Sequence, residues 1–513
     1  MKENNIPNIP AEKFRMVADS ERLHDQKFET KQVSYFRDAF NRFCKNKSSV
    51  TAAIIILCLV LYAILVPMFC TTTYSANLTD TTYLQYTKML PRNNLFYKWG
   101  LNFWDGCSRT TLTEANYNAY RAMAEESGYD VFREVYGTTV NDEGKTVYDV
   151  RLDSYIGNGY VFMTISPAEY EAIQAWQLET GIQVIFPAVT NATATDANLW
   201  YEVNQKNVAK LDKEGNFVNI YKTSGNDGGY DSLRIEGDPG LENPEAAERY
   251  RYASVTGTSE AMSFKVRVFK YTYFQYRYGF EPSFFFGTTN MGQDILTRLA
   301  NAARFSLIFA VCVSAINLTL GAVIGAIEGY YGGAVDMVIE RFIDILSRVP
   351  FMVVATLFQL HLAAKVGPVI SMLFAFVLTG WIGMAGTVRM QFYRYKNQEY
   401  VLASRVLGAS DWRIMFRHIF PNSLGTIITS SVLVIPGVIF SESSLTYLGI
   451  VNLDSSTMTS VGTMLANARS YLSTYPHIIL FPALFISLLE ISFNLFGNGL
   501  RDAFNPSLRG ADE

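Results

Sequence analysis

The chain has 513 residues, about half of them hydrophobic, and a formal net charge of −4. That length accommodates two or more domains, and so small a charge of mixed sign argues against a nucleic-acid partner. The apolar residues are unevenly spread: residues 71–286 read as a water-soluble fold, and residues 300–500 read largely as membrane.

Residues 1–49 form a polar N-terminal segment. Its end carries Lys31, Arg37, Arg42, Lys45 and Lys47, with Asp38 the only acid among them. Basic residues flanking a span stay on the cytoplasmic side, so the N-terminus is expected inside. Val50–Cys70 has no charge and meets the requirement of about 20 apolar residues for a spanning helix. It is too long and too far from the N-terminus for a cleavable signal peptide. Five further spans are expected over Phe305–Ile327, Ile343–Leu362, Val369–Val388, Thr426–Tyr447 and Ile478–Leu495. Six spans return the tail, residues 501–513, to the cytoplasm. They also place inside the connection between the fourth and fifth spans, which carries Arg389, Arg394, Lys396, Arg405, Arg413 and Arg417. Residues 71–286 then lie outside.

A loop of that length without structure of its own is uncommon, and this one has folding signals. Ser166-Pro167-Ala168-Glu169 places a capping serine, a first-turn proline and a glutamate three residues on, opening a helix that should stop at Gly181. Thr113–Ser127 is a second helix candidate, with Gly128 as its stop. Met262–Val268 alternates apolar and polar residues, as a half-buried strand does. Asp212–Asn216 before Phe217–Tyr221 reads as a hairpin turn. The insert is expected to be a small α+β domain. It holds 21 of the 31 tyrosines. These could form a surface for a peptide or a delivery protein, but core filling and a membrane-interface belt are the favoured reading. Asn77-Leu78-Thr79 and Asn191-Ala192-Thr193 match the glycosylation pattern, which recurs often by chance. The five cysteines, Cys44, Cys58, Cys70, Cys107 and Cys312, include no CxxC pair. That argues against a metal site or a disulfide framework, although a Cys70–Cys107 bridge stays open.

Glu399–Asn422 reads EYVLASRVLGASDWRIMFRHIFPN. It is expected to form a helix, a break at Gly408, a second helix, and a stop at Pro421. Such a basic element between two spans could fit a groove on a soluble partner, or could lie on the bilayer as an amphipathic connector. Ionisable residues at membrane depth are costly and mark candidate sites. Asp344 opens the third span, Glu442 lies near the outer end of the fifth, and Glu490 lies inside the sixth. Glu442 or Glu490 could line a translocation path and meet a peptide amine. For Glu490 a carboxyl hydrogen-bonded between helices is preferred. There is no GxxxxGK[ST] phosphate loop, so the chain is not expected to hold ATP.

The 399–422 stretch resembles the coupling motif of binding-protein-dependent ABC importer permeases, E-A-A-x-x-x-G-x-x-x-x-x-I-x-x-x-H-x-x-P. Ala403, Gly408, Ile414, His418 and Pro421 stand at its spacings, with Ala409 following the glycine. Leu402 stands where the motif has glutamate, and Ser404 replaces the second alanine. His418 reads as structural. The dipeptide/oligopeptide/nickel branch is matched elsewhere too. Phe36–Lys47 is similar to its basic helix leading into the first span, and Gly287–Arg298 to its GTDxxGRDxxSR pattern, with Thr289 and Gln293 departing. Gly329–Gly333 with Asp336 is similar to its turn after the second span. Asp344 and Pro350, Glu442, and Ser444–Gly449 match its third and fifth spans. Gly497–Asp502 is similar to GDGLRD, with Asn498 for the aspartate.

The resemblance implies an all-α polytopic membrane bundle of six transmembrane helices. Residues 50–70 are the first helix, 287–500 the core with the other five, and 71–286 an α+β extracytoplasmic domain inserted between helices 1 and 2. It implies a non-enzymatic permease in a bacterial plasma membrane, importing di- or oligopeptides. Its partners would be a second homologous permease, two ABC ATPase subunits or domains holding ATP-Mg, an extracytoplasmic substrate-binding protein and the lipid bilayer. This chain would itself bind no cofactor. A secondary transporter would need inverted repeats, and none is evident. A membrane sensor would need a cytoplasmic output domain, for which little chain follows the last span. The motifs of a metallopeptidase or serine hydrolase, H-E-x-x-H and G-x-S-x-G, are absent.

Overall fold

The computed structural model describes residues 35–69, 86–140, 144–189, 197–205, 208–222, 250–256, 262–454 and 458–504. Lys31, Cys70 and hence the Cys70–Cys107 pairing, both glycosylation triads, and the tail beyond Phe504 lie outside the described residues.

Helix α1 (Tyr35–Lys45) is followed after Asn46 by α2 (Lys47–Phe69). Its inner face, Ala39 and Phe43, packs on Ala503 near the end of the last helix. Short helices and two sheets follow: α3 (Asn94–Lys98), β1 (Cys107–Thr113), α4 (Glu114–Ser127), β2 (Phe132–Val140), β3 (Thr146–Asp153), β4 (Tyr160–Ile165), α5 (Pro167–Thr180), β5 (Ile185–Phe186), β6 (Ala253–Thr256), β7 (Ser263–Phe269) and α6 (Lys270–Tyr278). One antiparallel sheet has the order β1-β3-β2. The other has β4-β7-β5, with β6 also paired to β7.

The local signals act as expected. Thr113 and Ser166 cap α4 and α5 by accepting from the N–H groups of Asn116 and Glu169, and both helices end on left-handed glycines, Gly128 and Gly181. Leu211 pairs with Phe217 across the Asp212–Asn216 turn. Strand β7 departs from the half-buried expectation: Arg267, at a nominally polar position, is 0% exposed. Its guanidinium is met by Glu126 at 2.6 and 2.7 Å, by the Ala197 carbonyl at 2.6 Å, and by the Tyr160 ring. A central strand covered on both faces leaves no wet side for a charge, so the charge is paired instead.

The described tyrosines largely fill this core. Tyr86, Tyr155, Tyr160 and Tyr271 are buried together with Phe274 and Phe284. Burial pushes the Tyr86 and Tyr155 phenols well above their usual range. They therefore act as neutral donors, Tyr86 to the Lys270 carbonyl at 2.5 Å and Tyr155 to that of Leu90 at 2.7 Å. The two ends of the unit are clasped to each other. The Lys88 N–H donates to the Thr289 carbonyl, Thr288 to Met89 and Arg92 to Phe284, at 2.9–3.0 Å.

The remaining chain is helical: α7 (Ile295–Tyr331), α8 (Gly333–Ser347), α9 (Phe351–Val366), α10 (Pro368–Gly380), α11 (Ile382–Tyr395), α12 (Glu399–Val406), α13 (Asp411–Tyr447), α14 (Val461–Ala468) and α15 (His477–Phe504). Among the described residues, five helical stretches are long and apolar enough to cross a membrane, or six if one bent pair counts as a span; α10 and α11 act as one stretch. The expected third span is that bent pair. Helices α8 and α9 meet at 75°, because Pro350 has no N–H for the ladder and disfavours helical geometry at Val349. Residues 343–347 therefore belong to the helix before the bend. The second helix starts at Ile295, ahead of the expected Phe305, where Asp294 caps it by accepting from Thr297 N–H at 2.9 Å. Gly321, Gly325 and Gly329 line one side of α7. A Cβ at these glycines would lie 2.7 Å from Met384 Cβ, 2.3 Å from the Ala385 carbonyl oxygen and 2.5 Å from Phe392 Cβ, respectively. Such a stripe lets two helix backbones touch, the usual source of helix adhesion where lipid removes the hydrophobic drive.

Candidate functional site

The 399–422 stretch folds as a short helix, a glycine turn and a second helix, with one correction. Gly408 adopts φ +81°, and a Cβ there would meet nothing within 4 Å. Backbone conformation, not crowding, calls for glycine. The second helix does not stop at Pro421. It continues to Tyr447, widened into a π turn over Ile414–Ile419, where the Phe420 N–H donates to the Met415 carbonyl. The widened turn just before the proline absorbs its ring and its missing donor. The loop is therefore rigidly continuous with the fifth apolar helix.

One face of the loop is anchored. Val401, Ile414 and Ile419 are fully buried against Phe392 and Tyr330, and Ala409 is half-buried beside them. The Tyr330 hydroxyl donates to Asp411 Oδ1 at 2.6 Å, and that of Tyr331 to Oδ2 at 3.4 Å. Asn422 donates to the His418 carbonyl at 2.8 Å and to the Tyr400 hydroxyl at 3.2 Å. His418 is half-buried, consistent with a structural role, and Ala403 and Pro421 are exposed. The outward side is bare and mixes large apolar side chains with the exposed Arg405, Arg413 and Arg417. Val406 and Leu407 at the tip are each 87% exposed, and Trp412 is 63% exposed. Leu402, where the motif has glutamate, also faces outward. The tyrosine tether was not anticipated from the sequence; the paired Tyr330-Tyr331 at the end of α7 was its only signal.

The three candidate carboxylates are not brought into one site. Asp344 sits on α8 before the bend, half-buried, and paired with Arg341 at 3.0 Å. Glu442 is fully buried, and its Oε2 accepts from the hydroxyls of Ser306 on α7 at 2.8 Å and of Ser443 at 3.4 Å. Glu490 is half-buried on α15. Glu490→Gln, an amide of the same shape, is expected to leave uptake within about two-fold of wild type at equal protein level. A large loss would make Glu490 part of the path. A further carboxylate group, Glu328, Asp336 and Glu340, has oxygens within 4.8 Å of one another. Arg389 bridges Asp336 and Glu340 at 2.6 and 2.7 Å, so a guanidinium already supplies the cation that such a group needs.

Residues 317–510 match the family described as binding-protein-dependent transport system inner membrane component, and residues 34–91 match the N-terminal TM domain of oligopeptide transport permease C. The oligopeptide transport permease OppC of Bacillus subtilis is 40% identical over 224 residues, covering 44% of this chain and 72% of that protein. The chain belongs to this family. The dipeptide transport permease DppC of Bacillus subtilis is 38% identical over 44% of this chain and 69% of its own length. The OppC of Haemophilus influenzae is 38% identical over 44% and 71%. The chain is thus a permease subunit of an ABC importer. As in the family, it works with ATPase and substrate-binding components, and ATP is hydrolysed on subunits other than the permease.

Proposed function

We propose that the permease imports di- or oligopeptides handed over by an external binding protein. It does so paired with a second homologous permease on two ATP-binding-cassette subunits. The 399–422 loop is the surface those ATPases grip. The observation that carries this reading is the loop's two-faced build: a buried, tethered inner side and an apolar tip at Val406 and Leu407 exposed to 87%. A connector facing only water has no reason to hold bare apolar residues on so rigid a mount. Peptide cargo is supported by the identity to oligopeptide and dipeptide permeases.

In this reading six spans cross a bacterial plasma membrane, with both termini cytoplasmic and residues 71–286 outside. ATP-Mg is held by the partner ATPases and no cofactor by the permease. Closure of the ATPases around ATP moves the loop. Movement passes directly into α13, and through Tyr330 into α7, biasing a two-state bundle.

The test is affinity purification of the tagged chain from its native membrane, with mass spectrometry of what accompanies it. A second permease and P-loop ATPases are expected, together with ATP-dependent peptide uptake by the complex in proteoliposomes. Recovery without a second homologous permease, or an assembled complex that takes up no peptide, would overturn the proposed assembly or cargo respectively.

A further inference from the structure

The carboxylates singled out in the sequence do not line an opening formed by four helices of the bundle. That opening is a cavity of about 280 Å³ between α7, the start of α9, the end of α10 and the middle of α13. No charged residue lines it. Its polar groups are the Asn317 amide and the Thr379 and Ser441 hydroxyls, set among Phe351, Phe376 and valines of α13. Glu442, next to Ser441, is turned toward Ser306 instead. We infer that Asn317, Thr379 and Ser441 form an uncharged contact for a peptide bond of the cargo; this rests on the peptide-import reading.

Three observations carry the inference. First, Asn317 is 3% exposed, yet its Oδ1 accepts no hydrogen bond among the described residues, and its Nδ2 reaches only the Phe376 carbonyl at 3.5 Å. A buried amide oxygen without a donor is costly, and the Asn317 side chain that carries it is part of the cavity wall. A backbone N–H is such a donor, and nearby hydroxyls can answer the carbonyl beside it.

Second, the backbone makes room for this amide. A Cβ on Gly380 would fall 2.2 Å from Asn317 Nδ2, so glycine there lets the amide keep its place. Across the cavity, a Cβ on Gly437 would meet nothing within 4 Å. Both glycines are exposed, so the opening is bordered there by backbone and open at Gly437.

Third, the lining suits cargo of varied sequence. A fixed charge would hold peptides of opposite charge and repel the others. An amide and two hydroxyls bind what all peptides share, with aromatic and aliphatic walls tolerant of any side chain. The contact also lies on α13, the helix continuous with the coupling loop. Movement of the loop would thus change the spacing of Ser441 and Gly437 from Asn317.

The experiment uses the whole complex in proteoliposomes with its ATPases and binding protein. The probes are labelled Ala-Ala-Ala, Ala-Lys-Ala and Ala-Glu-Ala. Gly437→Leu fills open space, and Asn317→Leu removes the amide. Each is expected to lower uptake of all three peptides about ten-fold while the ATPases still co-purify. Asn317→Asp places a charge in the cavity. It is expected to raise the Ala-Lys-Ala to Ala-Glu-Ala uptake ratio at least several-fold over wild type, a change that a purely structural role would not produce. Wild-type uptake with no loss in Gly437→Leu and Asn317→Leu, or an unmoved ratio in an assembled Asn317→Asp complex, overturns the contact. Failure of the wild-type complex to take up any of the three peptides overturns the peptide reading itself, and the contact with it.

Discussion

Replacing Val406 and Leu407 together by aspartate is expected to strip the ATPase subunits from the purified permease while leaving its fold intact. Both side chains are 87% exposed at the tip of the coupling loop, so the fold gains little from them. If they seat in a pocket of the ATPase, they are buried only in the complex. Losing one central interface anchor typically costs about 2–4 kcal/mol, or roughly 30- to 1000-fold in affinity, and two carboxylates forced into an apolar pocket add a desolvation cost. Co-purification and ATP-dependent uptake should both fall below detection, while yield and thermal stability of the permease stay near wild type. An intact complex carrying both aspartates would move the docking surface elsewhere.

The largest effect on stability is expected from Glu126→Ala. Its carboxylate is the counter-charge for Arg267, which is 0% exposed, and it also accepts from the Tyr221 hydroxyl at 2.8 Å. Removing one member of a buried pair strands the other, at a cost of about 3–5 kcal/mol. That is a large part of what holds a small domain together. In the purified protein the insert should then become sensitive to protease at temperatures where wild type resists. The double change Glu126→Leu with Arg267→Met removes both charges and should restore much of the resistance. Equal resistance in Glu126→Ala and wild type would show that the pair is dispensable.

What could be read in the sequence was local. Ser166 and Gly181 bound a helix because a hydroxyl and a left-handed glycine act on backbone groups within four residues of themselves. The apolar runs declared the long helices for the same reason, since each run satisfies its own backbone. The helix, glycine turn and helix of the 399–422 loop were legible because its glycine and its apolar inner face sit within a few turns of each other. What escaped depends on distant partners. Arg267 looked like a solvent-facing position because Glu126 lies 141 residues away in the chain. The bend at Pro350 was passed over because hydropathy is blind to direction. Pro421 looked like a stop because only a π turn upstream reconciles it with a continuing helix. The cavity was illegible because it is made by what glycines leave out. Gly380 and Gly437 carry no hydropathic signal, and the carboxylates that stood out chemically lie elsewhere.

The clasp between residues 86–92 and 284–289 bears on how this permease came to differ from shorter relatives of its kind. The two ends of the described excursion hydrogen-bond to each other, so Gly287–Asp294, leading into α7, is held by residues 88–92 whatever lies between. Closing a loop costs free energy that depends on its length, but here that cost is met inside the inserted unit by its own sheets and buried charge pairs. The unit can therefore be lengthened or shortened between its ends without moving α7, as long as the clasp keeps its register.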